Sequence, residues 1–110
     1  ARMHACYEMR RRGFLVITLP QEVVSAVRKV DAIFRRFFAG SNAEKAVYRT
    51  PQEGEKVLSH PGYLTPSPGW AELFELRRSK RDPAYRIPPE CEAPGLKLFD
   101  LLRDLTMRWL

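Results

Sequence analysis

The chain has 110 residues, with 19 Lys and Arg against 13 Asp and Glu and a formal net charge of +6. At 45% hydrophobic and 11% aromatic residues, it has the apolar material for a single domain spanning 1–110, which excludes an intrinsically disordered polypeptide. No apolar run approaches the ~20 residues that a membrane span requires, so no span is expected and the protein should be soluble.

In chain order, the spacing predicts a short basic helix over residues 2–11, with Met3, Cys6 or Tyr7, and Arg10 on one face and Gly13 as its stop. Ala1 stands where an initiator Met would, so the N-terminus is expected to lie upstream. Phe14, Leu15, Val16, Ile17 and Leu19 then form a nearly unbroken apolar run with a β-branched centre. That pattern predicts a strand buried on both faces and central in its sheet.

Residues 18–39 form the organising helix. Val23, Val27, Val30, Phe34 and Phe37 recur at spacings of four, three, four and three, while Val24, Ile33 and Phe38 widen the stripe. Thr18 with Gln21 offers a capping box, Pro20 suits a first turn, and Gly40 falls where a left-handed stop belongs. Ser41 with Glu44 offers a second capping box, opening a short helix through Tyr48 that is anchored by Ala46 and Val47.

From Thr50 the texture changes, and Pro51, Gly54, Pro61, Gly62, Pro66, Pro68 and Gly69 mark a proline-rich loop with short extended pieces. One piece covers residues 62–65 and a better one 71–77, where a helical turn is the alternative. Basic residues 77–81 and Asp82-Pro83 turn the chain, and Pro88-Pro89 and Pro94-Gly95 mark another loop. A last helix is predicted over 94–110, with Leu98, Leu102, Leu105 and Trp109 as its stripe and Asp104 and Arg108 as an i,i+4 pair. It ends on apolar Trp109-Leu110 without a cap, the pattern of a helix that continues.

Residues able to do chemistry are sparse: the histidines are His4 and His60, the cysteines Cys6 and Cys91. A two-His, one-carboxylate iron site needs two imidazoles and a carboxylate on one face. Neither His4-Ala5-Cys6 nor His60-Pro61-Gly62 has a carboxylate two residues on. Glu72 and Glu75 sit three apart, on opposite faces of a strand, which leaves them solvent-facing or salt-bridging rather than paired for acid–base work. No glycine-rich phosphate loop is present. The two cysteines read as free thiols of a reducing, cytoplasmic compartment, since a bridge requires their Cα atoms within ~7 Å. Basic clusters at Arg10, Arg11, Arg12 and at Arg77, Arg78, Lys80, Arg81 would give salt-dependent phosphate contacts. They are short and come without a zinc spacing or an RNA-recognition motif, so nucleic-acid binding is the weaker reading.

Several pieces together resemble one family. They are Gly13-Phe14-Leu15-Val16, the helix ending Phe37-Phe38, Ala43-Glu44-Lys45, Gly62-Tyr63, Trp70-Ala71-Glu72-Leu73-Phe74-Glu75-Leu76-Arg77 and the closing amphipathic helix. In order and approximate spacing they resemble the N-terminal region of iron(II)- and 2-oxoglutarate-dependent dioxygenases of the isopenicillin N synthase-like type, across nearly the whole chain. Two features depart from it: the strand-to-helix turn is shortened to Ile17-Thr18-Leu19-Pro20, and Gly40-Ser41-Asn42 replaces the usual Leu-Pro.

The resemblance implies a jelly-roll core following residue 110, carrying the His-x-Asp and distal His iron ligands and the Arg-x-Ser 2-oxoglutarate clamp. Fe(II) and 2-oxoglutarate are thus expected in the full-length protein, with no catalytic residue and no metal ligand in this chain. Tyr63 resembles the family residue near the mouth of the substrate pocket, and the strand around Phe74 resembles one that lines it. Both are therefore expected substrate contacts, although Tyr63 could equally pack its ring on the core. The expected partners are the C-terminal jelly-roll core of the same protein, or another protein chain, and a small-molecule substrate in the full enzyme. The expected fold is α+β: short helix, central buried strand, long amphipathic helix, proline-rich loop with one or two further strands, C-terminal helix. The competing reading is an autonomous protein-interaction module without catalysis.

Overall fold

The computed structural model describes residues 2–49, 61–67, 69–78 and 85–109. The anticipated loop at 51–60, with His60, lies outside the described residues, as do Lys80, Arg81, Asp82 and Pro83. The elements run α1 (Arg2–Arg12), α2 (Gln21–Ala39), α3 (Asn42–Ala46), β1 (Gly62–Ser67), β2 (Ala71–Glu75) and α4 (Pro89–Trp109). Mixed helices with one small antiparallel sheet fit the expected α+β class.

α2 is the spine. It buries Val23, Ala26, Val30 and Ile33 and packs along α4. Val27 is 39% exposed, so the buried stripe is rotated from the one the larger residues predict and runs through small Ala26. Its start also differs. Pro20 is the N-cap and no side chain caps the helix, so Thr18 and Gln21 form no capping box. Instead the Pro20 carbonyl accepts from the amides of Val23 at 3.0 Å and Val24 at 3.1 Å.

Gly40 is not left-handed, with φ −69°, yet a side chain there would be crowded. A Cβ there would lie 3.0 Å from Glu44 Oε2 and 3.1 Å from the Phe37 carbonyl. The space goes to the capping box of α3, in which the Glu44 amide donates to Ser41 Oγ at 3.2 Å and the Ser41 amide to Glu44 Oε2 at 2.8 Å. α1 stops as expected at Gly13, whose φ of 76° is left-handed and whose amide donates to Met9 O at 2.9 Å. Its buried residue is Ala5, however, and Met3 is 88% exposed, so the predicted face through Met3 and Arg10 is not the one that packs.

The largest departure is residues 14–19. They link α1 to α2 outside any helix or strand, with Phe14 56% and Val16 83% exposed. The expected central buried strand is not formed, because the described residues hold only one sheet, β1 with β2, and it lies elsewhere. That sheet is an antiparallel hairpin pairing Gly62 with Glu75, Tyr63 with Phe74 and Leu64 with Leu73, with an irregularity before Ser67 meets Ala71. Both extended pieces predicted from the sequence are thus strands.

α4 begins at Pro89, five residues before the predicted start. Pro88 and Pro89 sit where a helix has no use for the missing amides, and the Cys91 amide donates to the Pro88 carbonyl at 2.8 Å. Pro94 lies inside the helix, forgoing one intrahelical bond rather than marking a boundary. Asp104 meets Arg103 at 3.4 Å instead of Arg108, and Asp100 binds Arg78, tying α4 to the hairpin exit.

Between α2 and the hairpin lies an aromatic cluster centred on Phe37. Its ring centroid is 6.0 Å from Phe34, 5.3 Å from Phe38, 5.6 Å from Tyr48, 5.7 Å from Tyr63 and 5.3 Å from Phe74. Phe37→Ala should cost about 3 kcal/mol, at the low end for large-to-small aromatic changes because the ring is half-buried. A urea-unfolding loss below 1 kcal/mol would move the core away from this ring. Gly95→Ala should instead stabilise by ~0.5–1 kcal/mol. The added Cβ meets Leu76 Cδ1 at 3.6 Å and Cys91 Sγ at 3.8 Å, ordinary contact distances, and a measured loss would contradict that packing.

Candidate functional site

Three elements converge on one carboxylate oxygen. α3 turns Lys45 inward, β1 supplies Tyr63 and β2 supplies Glu72. Lys45 Nζ donates to Glu72 Oε1 at 2.7 Å, and the Tyr63 hydroxyl donates to the same oxygen at 2.8 Å. Lys45 Nζ also lies 3.4 Å from the Phe38 carbonyl. The Lys45 side chain is 6% exposed and that of Glu72 35%. An ammonium removed from water to this extent needs a paired, hydrogen-bonded anion, and Glu72 provides it.

The ionisation of the trio follows from these bonds. The hydrogen bond from Lys45, then that from Tyr63, holds the Glu72 carboxyl below its ordinary value. The bond to Glu72 raises Lys45, and burial raises the Tyr63 phenol. All three shifts lead away from neutrality, so the group holds charge and geometry rather than exchanging protons. The Tyr63 ring has the Arg49 guanidinium 5.0 Å and Lys45 Nζ 5.7 Å from its centroid. Its amide donates to the Tyr48 carbonyl at 3.1 Å, and Arg49 Nη1 donates to Thr65 Oγ1 at 3.1 Å.

Beside this trio lies an open cavity of about 790 Å³ bordered by Phe38, Asn42, Arg49, Tyr63, Trp70 and Glu72. Tyr63 is 3% exposed, while Trp70 is 93% exposed. A ligand would therefore meet Trp70, Arg49 and Asn42 more than the phenol itself. Of the two expected substrate contacts, the hairpin pairs Tyr63 with Phe74 across the strands, but only Tyr63 borders the cavity. Phe74 stands behind it in the aromatic cluster, 5.1 Å from Phe34.

Lys45 is the residue that sequence reasoning missed. Ala46 and Val47 were the expected anchors of α3, yet Val47 is 57% exposed and Lys45 is buried. The usable signal was the capping box, which fixes the phase of the helix. The partner Glu72 is 27 residues away, beyond any local pattern.

His4 is exposed on α1, and among the described residues no three His, Cys, Asp or Glu converge as a metal site. Cys6 and Cys91 are unbridged. Burial pushes the Cys91 thiol up to about 11, which makes it a poor nucleophile at neutral pH. Among the described residues no helix is long and apolar enough to cross a membrane. Comparison of the chain with protein-family models, with curated proteins and with solved structures finds no match.

The trio makes stability pH-dependent at both ends. A depressed carboxyl contributes stability above its unfolded value, 4.5 for Glu72, and that contribution is lost as pH falls through the lower folded value. Raised Lys45 and Tyr63 contribute below their unfolded values of 10.5 and 10.0, and this is lost at higher pH. Thermal unfolding should therefore show Tm falling below about pH 4.5, with a shallower acid limb in Glu72→Gln. An acid limb of unchanged slope in that variant would remove Glu72 from the account.

Proposed function

We propose that this chain is the non-catalytic N-terminal segment of an Fe(II)- and 2-oxoglutarate-dependent oxygenase, framing the substrate entrance and packing on a jelly-roll core. The observation that carries the packing is the openness of the chain. It exposes 8298 Å², against about 6,300 Å² for a compact protein of this size. Its radius of gyration is 16.8 Å, against ~13 Å for a compact chain of about this length. The core is correspondingly small, and Phe14, Val16 and Trp70 face solvent. Such a frame is suited to lie against a second body. The sequence resemblance supplies the identity of that body.

In this reading the hairpin is the rim of the substrate pocket. Lys45 and Glu72 fix the Tyr63 hydroxyl, Phe74 backs the strand, and the cavity between Trp70 and Arg49 takes the outer part of a small-molecule substrate. Fe(II) and 2-oxoglutarate belong to the His-x-Asp, distal His and Arg-x-Ser groups of the jelly roll. Bound there, they supply the oxidising chemistry, to which this chain contributes no ligand.

The same exposed side chains favour a second reading, an interaction module without catalysis that holds a partner protein. Nucleic-acid binding is weaker still, because Glu75 and Asp100 already engage Arg77 and Arg78.

The coding sequence after Leu110 decides between the first two readings. His-x-Asp, a later His and Arg-x-Ser within the next couple of hundred codons are expected, and an immediate stop codon leaves the interaction module. The 110-residue chain alone should not decarboxylate 2-oxoglutarate, and turnover by it would refute the proposal. In the complete enzyme, Trp70→Ala should raise the KM of the primary substrate about 3- to 10-fold, the worth of one exposed ring bordering the cavity, with the KM for 2-oxoglutarate unchanged.

A further inference from the structure

We propose that the end of the substrate taken by the cavity beside Glu72 is a flat ring bearing a carboxylate, with the carboxylate on Arg49 and the ring on Trp70. This rests on the reading of that cavity as the substrate mouth, and it names the chemistry of what enters. At about 790 Å³ the cavity has room for a ligand of one or two rings.

The sign of the ligand follows from the charges around the cavity, whose bordering residues include Arg49 and Glu72. Glu72 is already answered: its Oε1 lies 2.7 Å from Lys45 Nζ and 2.8 Å from the Tyr63 hydroxyl. Arg49 is not. It is exposed, and among the described residues its guanidinium meets the neutral Thr65 Oγ1 at 3.1 Å and no carboxylate. The cavity lining therefore carries one uncompensated positive charge. A single guanidinium, with Lys45 engaged elsewhere, matches a carboxylate monoanion better than a phosphate dianion.

The guanidinium is positioned before a ligand arrives. It lies over the Tyr63 ring, 5.0 Å from the centroid, and Thr65 holds its Nη1, so a carboxylate meets a fork whose orientation is already set. The ring beneath it is fixed in turn, by Glu72 at the hydroxyl and by Phe37 at 5.7 Å. Trp70 supplies the second contact. It borders the same cavity and is 93% exposed, an indole face that a planar ring would remove from water by stacking. An ammonium on the ligand would instead lie beside Arg49, which opposes it.

The experiment is an NMR titration of the chain with naphthylacetate, naphthylacetamide and naphthylethylamine, which share a ring and differ in charge. The Arg49 side-chain and Trp70 indole signals should shift together. The acid should bind ~5-fold or more tighter than the amide at low salt, with the amine weakest, and added salt should shrink the preference. Arg49→Gln should bring the acid down to the affinity of the amide and leave the amide's own unchanged. Arg49→Lys, which keeps the charge and loses the fork, should fall between. Trp70→Ala should weaken all three ligands. Equal affinity for acid and amide, tightest binding of the amine, or shifts confined to α1 and α4 would overturn the inference. So would an acid preference that survives in Arg49→Gln, which would make it a diffuse attraction to the net charge of +6. None of these outcomes bears on the oxygenase reading, which the codons after Leu110 decide separately; an immediate stop there would remove the oxygenase and leave the preference for the acid still to be measured.

Discussion

Lys45 is the constraint on which the arrangement of this chain depends. Its ammonium is enclosed where water cannot reach it freely, so the segment that carries it has to meet a carboxylate. Glu72 can serve only if β2 pairs with β1 in the observed register, since a slip of one residue would turn it to the opposite face. Lys45 in turn points inward because Ser41 and Glu44 lock the phase of α3, beside a Gly40 whose missing side chain leaves Glu44 its room. A short helix and a two-stranded hairpin, each marginal by itself, are held in place by one shared oxygen atom.

From that junction the structure divides into two kinds of packing on one helix. The C-terminal half of α2 meets the hairpin through aromatic rings, at angles that place edges against faces. Its N-terminal half presents Val23, Ala26 and Val30, small side chains suited to a helix lying close by. Tyr85 closes the gap between the hairpin exit and α4: it is 5% exposed, and its hydroxyl accepts from the Arg77 amide at 2.8 Å.

What the sequence made legible was local. The apolar period of α2, the Ser41 and Glu44 capping box, the left-handed Gly13 and the two extended pieces of the hairpin each depend on residues a few positions apart. What it hid depended on distant or missing neighbours. The run from Phe14 to Leu19 states a preference for a sheet but not whether a second strand is at hand. Pro94 reads as a helix boundary, and only the preceding Pro88-Pro89 pair shows that the helix has already begun. Of the candidate site, Tyr63 and its strand were legible, while Lys45 was not, because a lysine in a five-residue helix normally faces water. Tyr63 packs its ring in the cluster and borders the cavity.

The two thiols differ in a way that has practical value. Cys91 is wholly enclosed, and burial keeps it protonated well above neutrality, whereas Cys6 is exposed on α1 at the edge of an apolar groove. A maleimide or a nitroxide reagent will therefore discriminate between them in the folded chain without any cysteine being replaced. Within these 110 residues the folded chain thus carries a single addressable attachment point, on the exposed face of α1.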